Sequence, residues 1–250
     1  MMRLLCILLV AASTFADPPQ RVLSLCTTAT DVLCALDATN QLAGIDEYGR
    51  VVPGASNVPV IAKGSALSRE EVIARRFDLA FIWWYQDEAA KLLGELNVPV
   101  VRLRAGRAAD LPATVRLIGQ HTGHEVAADK LADELTAFLQ SHTNATVNPP
   151  RVYLELYGAY KTVGGDSYLN DLITLAGGTN VAAEIPRSRV VFSPEQLIDS
   201  KPDVIVFVNG FTKPGLTGAR VVGIDRQWLV AGSRLPAAVK KLHAVIHGEN

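Results

Sequence analysis

The sequence has little net charge, few cysteines and few aromatic rings. Its 24 Lys and Arg nearly cancel its 25 Asp and Glu, for a formal net charge of −1. No basic run occurs along it, so the electrostatic footprint of a nucleic-acid binder is missing. No low-complexity tract interrupts the chain; 49% of its 250 residues are hydrophobic and 20% are charged. That balance excludes a disordered chain and supplies one large core or two modest ones. Catalytic signatures are missing too. There is no G-x-S-x-G elbow, and Gly164-Gly165 and Gly177-Gly178 lack the spacing of a phosphate loop. Of the five histidines, His121, His124 and His142 fall in one long helical stretch, and His243 and His247 sit one turn apart near the end. An i, i+4 pair with no third ligand nearby is weak ground for a metal. No nucleophile is paired with a base. The expectation is a protein that is not an enzyme and carries no cofactor.

The one long apolar run lies at the start. Arg3 precedes apolar residues 4–10, residues 11–16 turn small, and Thr14-Phe15-Ala16 stands before Asp17. This is the layout of an export signal over residues 1–16, cleaved near Ala16/Asp17. Its apolar stretch is shorter than the roughly 20 residues that span a bilayer. Of the three cysteines, Cys26 and Cys34 then remain. Cys26 is expected to end a strand, and Cys34 to lie nearly two turns into the next helix. At about 1.5 Å of rise per residue the pair exceeds the roughly 7 Å reach of a disulfide, so two free thiols are expected. Cys26 is also the one candidate ligand for a bare metal at a cleft rim.

Against these absences stands a repetition. Ser68, Glu70, Ile73 and Asp78 recur in register as Ser193, Glu195, Ile198 and Asp203, 125 positions on. Each copy reads as a serine-capped helix, a short turn and an apolar strand. Capping alone accounts for each serine and glutamate, because an acid in the first turn is favoured by the helix dipole. A functional role requires both glutamates to point outward. Two such copies predict two similarly built lobes, and a cleft between lobes is the usual place for a ligand.

The rest of the chain fits that plan. Strands are predicted at residues 22–25, 42–45, 80–83 and 98–103, then at 152–156, 205–207 and 221–224. Helices are predicted from Thr28 to about Leu36, over 168–176 and over 236–246. Thr28-x-x-Asp31 reads as a variant capping box, and Gly177-Gly178 as a helix stop. Strands alternating with helices indicate parallel α/β lobes. Residues 110–142 break the rhythm, with Leu131, Leu135, Phe138 and Leu139 at helical spacing. A long helix is expected there as a strut between lobes, with Gly119 and Gly123 as candidate break points. The fold class is thus α/β. Two parallel-sheet lobes, 17–109 and 144–250, are joined by a single linking helix over 110–143.

Ligands bind beyond the carboxyl ends of parallel strands. The residues predicted there are Tyr48, Lys63, Trp83, Trp84, Tyr85 and Arg104 from the first lobe. The second lobe offers Tyr157, Tyr160, Arg189, Phe211 and Trp228. Aromatics are only 6% of the chain, yet most fall at these ends. Rings give flat apolar area at low entropic cost, which suits a bulky, partly planar ligand. The cations can meet carboxylate, phosphate or catecholate oxygens. Core packing for a ring, or solvation for a charge, is the plainer account of any one of them.

The order of these features resembles the periplasmic substrate-binding proteins of the cobalamin, haem and iron-siderophore ABC importers. The resemblance runs over about residues 21–246 and rests on the residue 21–25 strand, the loop from Gly44-Ile45 to Tyr48 and the two Ser-x-Glu helices. Gly177-Gly178-Thr179-Asn180-Val181 and Pro202-Asp203-Val204 add to it. It implies a periplasmic, monomeric protein that binds a small-molecule metal chelate and delivers it to an ABC importer permease in the inner membrane. Glu70 and Glu195 match the acids that dock on permease arginines in that family. Tyr48, Trp83 and the Trp228 segment match cleft positions of cobalamin binders, so a corrinoid is the first expectation. Two departures keep haem or a ferric siderophore open. Residues 187–191 stand where a cobalamin binder has a tryptophan, and Cys26 replaces a small residue. The arginines suit haem propionates, Tyr160 suits haem iron, and Cys26 suits a metal-site protein or enzyme on the same frame.

Overall fold

The computed structural model describes residues 17–63, 66–104, 106–142, 147–209 and 218–249. The expected export signal and Phe211 lie outside these residues. The first lobe is a six-stranded sheet in the order β4-β3-β2-β1-β5-β6. Its strands are β1 (Val22–Ser24), β2 (Leu42–Asp46), β3 (Val60–Lys63), β4 (Ala66–Leu67), β5 (Leu79–Trp83) and β6 (Val100–Leu103). Only the β3–β4 pairing is antiparallel. Helices α1 (Thr27–Ala35), α2 (Arg69–Arg75) and α3 (Asp87–Glu95) connect these strands.

The expected single linking helix is two helices, α4 (Leu111–Thr122) and α5 (Glu125–Ser141). The break falls at Gly123, whose φ of 75° closes α4 in the left-handed conformation that glycine adopts freely. The two helices fold back on each other. Arg116 of α4 reaches Asp129 (3.0 Å) and Asp133 (2.5 Å) of α5. Gly119 allows the close approach, since a Cβ there would stand 2.2 Å from the Ala128 Cβ. Helix α4 leans on α1 and α5 on α8 (Leu235–His247), so the hairpin touches both lobes.

The second lobe holds β7 (Arg151–Glu155), β8 (Lys161–Thr162), α6 (Tyr168–Leu175), β9 (Thr179–Asn180), β10 (Val190–Val191), α7 (Pro194–Asp199), β11 (Val204–Val208), β12 (Arg220–Ile224) and α8. Strands β12-β11-β7-β9 form a parallel sheet, and β8 pairs with β10 in an antiparallel ribbon.

The sequence repeat is a structural repeat. Ser68 and Ser193 cap α2 and α7, each hydroxyl accepting the amide three residues on, from Glu71 (3.1 Å) and Gln196 (3.2 Å). Arg76 and Lys201, at matched positions, both turn left-handed just after the helices. Asp78 then accepts the Arg21 amide at 3.0 Å, and Asp203 accepts the Arg151 amide at 2.7 Å. The same two arginines reach back to helix-end carbonyls, Arg21 to Arg75 (2.5 Å) and Arg151 to Ser200 (2.8 Å). Those contacts tie the end of each helix to the start of β1 or β7. The N-terminus of each helix therefore lies toward the opposite, carboxyl edge of its sheet.

The Thr28 capping box does not form. Helix α1 begins at Thr27 with Cys26 in the capping position and no side-chain cap. The Asp31 carboxylate is instead spent on the other lobe, where it meets a full positive charge rather than a backbone dipole. One continuous apolar core runs through both lobes, from Val22, Phe81 and Val115 to Val152, Leu172 and Leu242. Smaller clusters lie on the far face of each sheet, around Ile82 in the first lobe and Tyr153 in the second.

Candidate ligand cleft between the lobes

Rings from the first lobe meet cations from the second at the carboxyl edges of the sheets. Tyr48 rides on a short 3-10 turn after β2, held by Asp46, whose Oδ1 accepts the Gly49 amide at 2.8 Å. The Arg226 guanidinium of the second lobe stands 5.1 Å from the Tyr48 ring centroid. That is within the range of a cation–π contact. Asp46 is buried, which pushes its carboxyl up to about 6, opposed by the Gly49 amide and Arg226.

Beyond β5, Trp84 and Tyr85 are about half exposed and meet edge to face, 5.7 Å apart. Arg104 lies 5.4 Å over the Trp84 ring. Burial raises the Tyr85 hydroxyl pKa, and Arg189 of the second lobe opposes that rise. Arg189 also covers the Tyr157 ring at 4.8 Å. Thus Tyr85, Arg189 and Tyr157 form a second group that spans the seam. Trp83 is half-buried; its backbone amide is fixed by Gln86 Oε1 at 2.7 Å. It lines a small enclosed space at the seam with Thr28, Arg104, Arg107 and Ala231. That space is about 10 Å³, room for about one water.

Trp228 lies on the 3-10 turn Arg226–Leu229 after β12. The Arg234 guanidinium stands 5.8 Å from its ring and donates to the Gln227 carbonyl at 3.0 Å. Arg234 is itself gripped by Asp31 of α1 at 2.9 Å. Asp31 also accepts the Ser233 amide and hydroxyl, both at 2.6 Å. A second cross-lobe pair joins Arg107 to Asp171 at 2.5 Å, and Asp171 accepts the Ala108 amide as well.

Two predicted residues, Lys63 and Tyr160, make none of these ring–cation contacts. Lys63 ends β3 and faces an open groove with Glu47 and Ser68. Tyr160 sits in a tight turn at φ 61°, its amide donating to buried Glu155 at 2.9 Å, with Tyr153 close by. Cys26 and Cys34 are both free. Cys26 is wholly buried, which pushes its thiol up to about 12. No group of three or more potential ligands gathers among the described residues.

Sequence reasoning missed Arg226, Arg234, Asp31 and Asp171. Arg226 adjoins Trp228 in sequence, and that adjacency was the available signal. Nothing local marks Asp31, whose partner lies 203 residues away.

Residues 22–219 match the family described as periplasmic binding protein. The chain belongs to that family. As such it is a binding protein, not an enzyme, and its kin are periplasmic. A vitamin B12-binding protein of Pectobacterium atrosepticum is 25% identical, covering 94% of this chain and 91% of its own. A cobalamin-binding protein of Halobacterium salinarum is 27% identical over 78% of this chain and 55% of its own. Among solved structures, the periplasmic vitamin B12 binding protein BtuF of Vibrio cholerae matches with a TM-score of 0.76 at 19% identity, covering 93% of this chain and 98% of that one. The periplasmic heme-binding protein RhuT from Roseiflexus sp. RS-1 gives a TM-score of 0.79 at 22% identity, covering 92% and 98%. At such identities these two structures show the shared two-lobe fold of the binding protein and no more.

Proposed function

We propose that the chain is the substrate-binding component of an ABC importer. It captures a metal chelate, foremost a cobalamin or other corrinoid, as a monomer. It is exported by a signal cleaved near Ala16/Asp17, and its lobes are 17–109 and 144–250, bridged by the hairpin within 110–143. The observation that carries this reading is the meeting of rings and guanidiniums across the seam, Tyr48 with Arg226 and Tyr85 with Arg189 and Tyr157. Flat rings at the rim offer stacking area to a macrocycle, while the arginines reach its amide, phosphate or carboxylate oxygens. The names of the B12-binding relatives point the same way.

Haem or a ferric siderophore is the second reading. The arginines at the rim (Arg104, Arg189, Arg226) favour it, because guanidiniums pair bidentately with propionates. Glu70 and Glu195 are the permease-docking acids of this proposal. Both are fully exposed, and both carboxyls are held below the ordinary range, Glu70 by its own amide and then Ser68, Glu195 by Ser193 and then its own amide. Each stays ionised, and each sits at a helix start on the carboxyl side of its sheet, where the cleft opens.

The test is to isolate the mature protein from its host without added ligand and record its visible spectrum and mass spectrum. Corrinoid bands with a matching mass are expected. A Soret band transfers the assignment to haem. A preparation that carries no chelate and takes up none of cobalamin, haemin or a ferric siderophore ends the proposal.

A further inference from the structure

Among the exposed apolar side chains, which include the more exposed Val126, Val147 and Val191, two are isoleucines. Ile73 is 58% exposed and Ile198 57% exposed, while every other isoleucine among the described residues is buried or half-buried. A single exposed apolar residue needs no explanation. These two occupy matched places in the repeat, 125 positions apart. Each follows a fully exposed glutamate by three residues on the same helix, Glu70 on α2 and Glu195 on α7. Residues at that spacing share one helix face.

Neither isoleucine belongs to an apolar core cluster. Each helix is anchored by the residue before it, Val72 (2% exposed) and Leu197 (3% exposed). An exposed β-branched residue is also a weaker helix former than lysine or alanine. The remaining use is contact with something outside the chain. A second copy would bring like charges together, since a carboxylate flanks each isoleucine, and an anionic membrane surface is repelled for the same reason. The face instead fits a socket that pairs a cation with an apolar floor. Because the lobes repeat, the molecule shows this face twice, which matches a partner with two equivalent sockets, as a symmetric dimer supplies.

We propose that Ile73 and Ile198 are paired apolar anchors beside the docking glutamates, seating in equivalent apolar hollows of a two-fold symmetric, basic membrane partner. This rests on the docking role given to Glu70 and Glu195 and adds to it a part that salt does not screen. The acids supply steering and fall off with ionic strength; the isoleucines supply area.

The test measures binding of the mature protein to inner-membrane vesicles from the host, periplasmic face outward, with liposomes of the same lipids as blank. Three paired variants are compared at low and high salt, about 0.05 and 0.5 M: Ile73→Ser/Ile198→Ser, Ile73→Leu/Ile198→Leu and Glu70→Ala/Glu195→Ala. Burial of two half-exposed isoleucines predicts a loss of about a hundredfold for the serine pair at both salts, about tenfold for each residue. The leucine pair keeps wild-type binding, and the glutamate pair loses affinity chiefly at low salt. If the serine pair binds as wild type while the glutamate pair fails, the anchors are overturned and the docking acids stand. If both pairs bind as wild type, the docking role falls and the anchors fall with it. Binding to the blank liposomes as strong as to the vesicles overturns the protein partner in favour of lipid.

Discussion

Replacing Asp31 by alanine loosens the two lobes from each other. The Asp31 carboxylate is 3% exposed and accepts three hydrogen bonds from the second lobe, from the Ser233 amide and hydroxyl (both 2.6 Å) and Arg234 Nε (2.9 Å). Its removal leaves the guanidinium without its anion and the Ser233 amide without an acceptor. Breaking a buried pair from one side costs about 3–5 kcal/mol. The Arg234 side chain is 24% exposed and keeps its bond to the Gln227 carbonyl. Partial solvation therefore puts the loss near the lower end, about 3 kcal/mol. For a chain of this size that is a fall in Tm of about 8 °C. The assay is thermal and urea unfolding followed by circular dichroism, on Asp31→Ala, Arg234→Ala and the double variant. The pair acts as a unit, so the double variant loses less than the sum by about 2 kcal/mol. A loss below about 1 kcal/mol for Asp31→Ala, or additive losses, refutes a cross-lobe tie at this carboxylate.

Other expectations follow from single contacts. A Cβ at Gly232 would stand 2.3 Å from Asp31 Oδ2, so Gly232→Ala displaces the same carboxylate and lowers Tm in the direction of Asp31→Ala; an unchanged Tm contradicts this. Asp46 holds its proton up to about pH 6 when folded, against 3.8 ordinarily. The folded state thus binds that proton more tightly, and the Asp46 contribution to stability declines as pH rises from about 4 to about 6. Asp46→Asn should remove that decline, and a series of unfolding curves across this range checks it. Burial raises the pKa of both thiols, to about 12 for Cys26. At neutral pH a thiol reagent should label half-buried Cys34 first and Cys26 only on unfolding; fast labelling of Cys26 in the native protein contradicts the assigned burial.

Local chemistry was legible where one residue decides the geometry. Ser68 and Ser193 each cap a helix because a hydroxyl three residues before an unpaired amide has one obvious use. The strands β5, β7 and β11 were readable as apolar runs bounded by charge. Other elements were silent for physical reasons. Helix α3 has Gln86 in its N-cap position, where the side chain gives the helix no cap and instead accepts the Trp83 amide. Strands β8, β9 and β10 are two residues long and exist through their partners. The long helical stretch was visible, but its return at Gly123 depends on how closely Gly119 lets Ala128 approach. At the cleft, the rings were legible because aromatics are scarce. Their cationic partners were only partly so, since Arg226 and Arg234 acquire meaning from Tyr48 and Asp31 in the other lobe. Lys63 ends β3 and Tyr160 follows β7, and neither joins a ring–cation contact across the seam.

The most direct test of ligand capture between the lobes is isothermal titration of the mature protein with cyanocobalamin, alongside Tyr48→Ala and Arg226→Ala. The account predicts one site with a Kd of about 1 μM or tighter, and a loss of about fivefold or more in each variant, from the lost ring–cation contact at the seam. One-to-one binding that neither substitution weakens, or no binding at all, contradicts it.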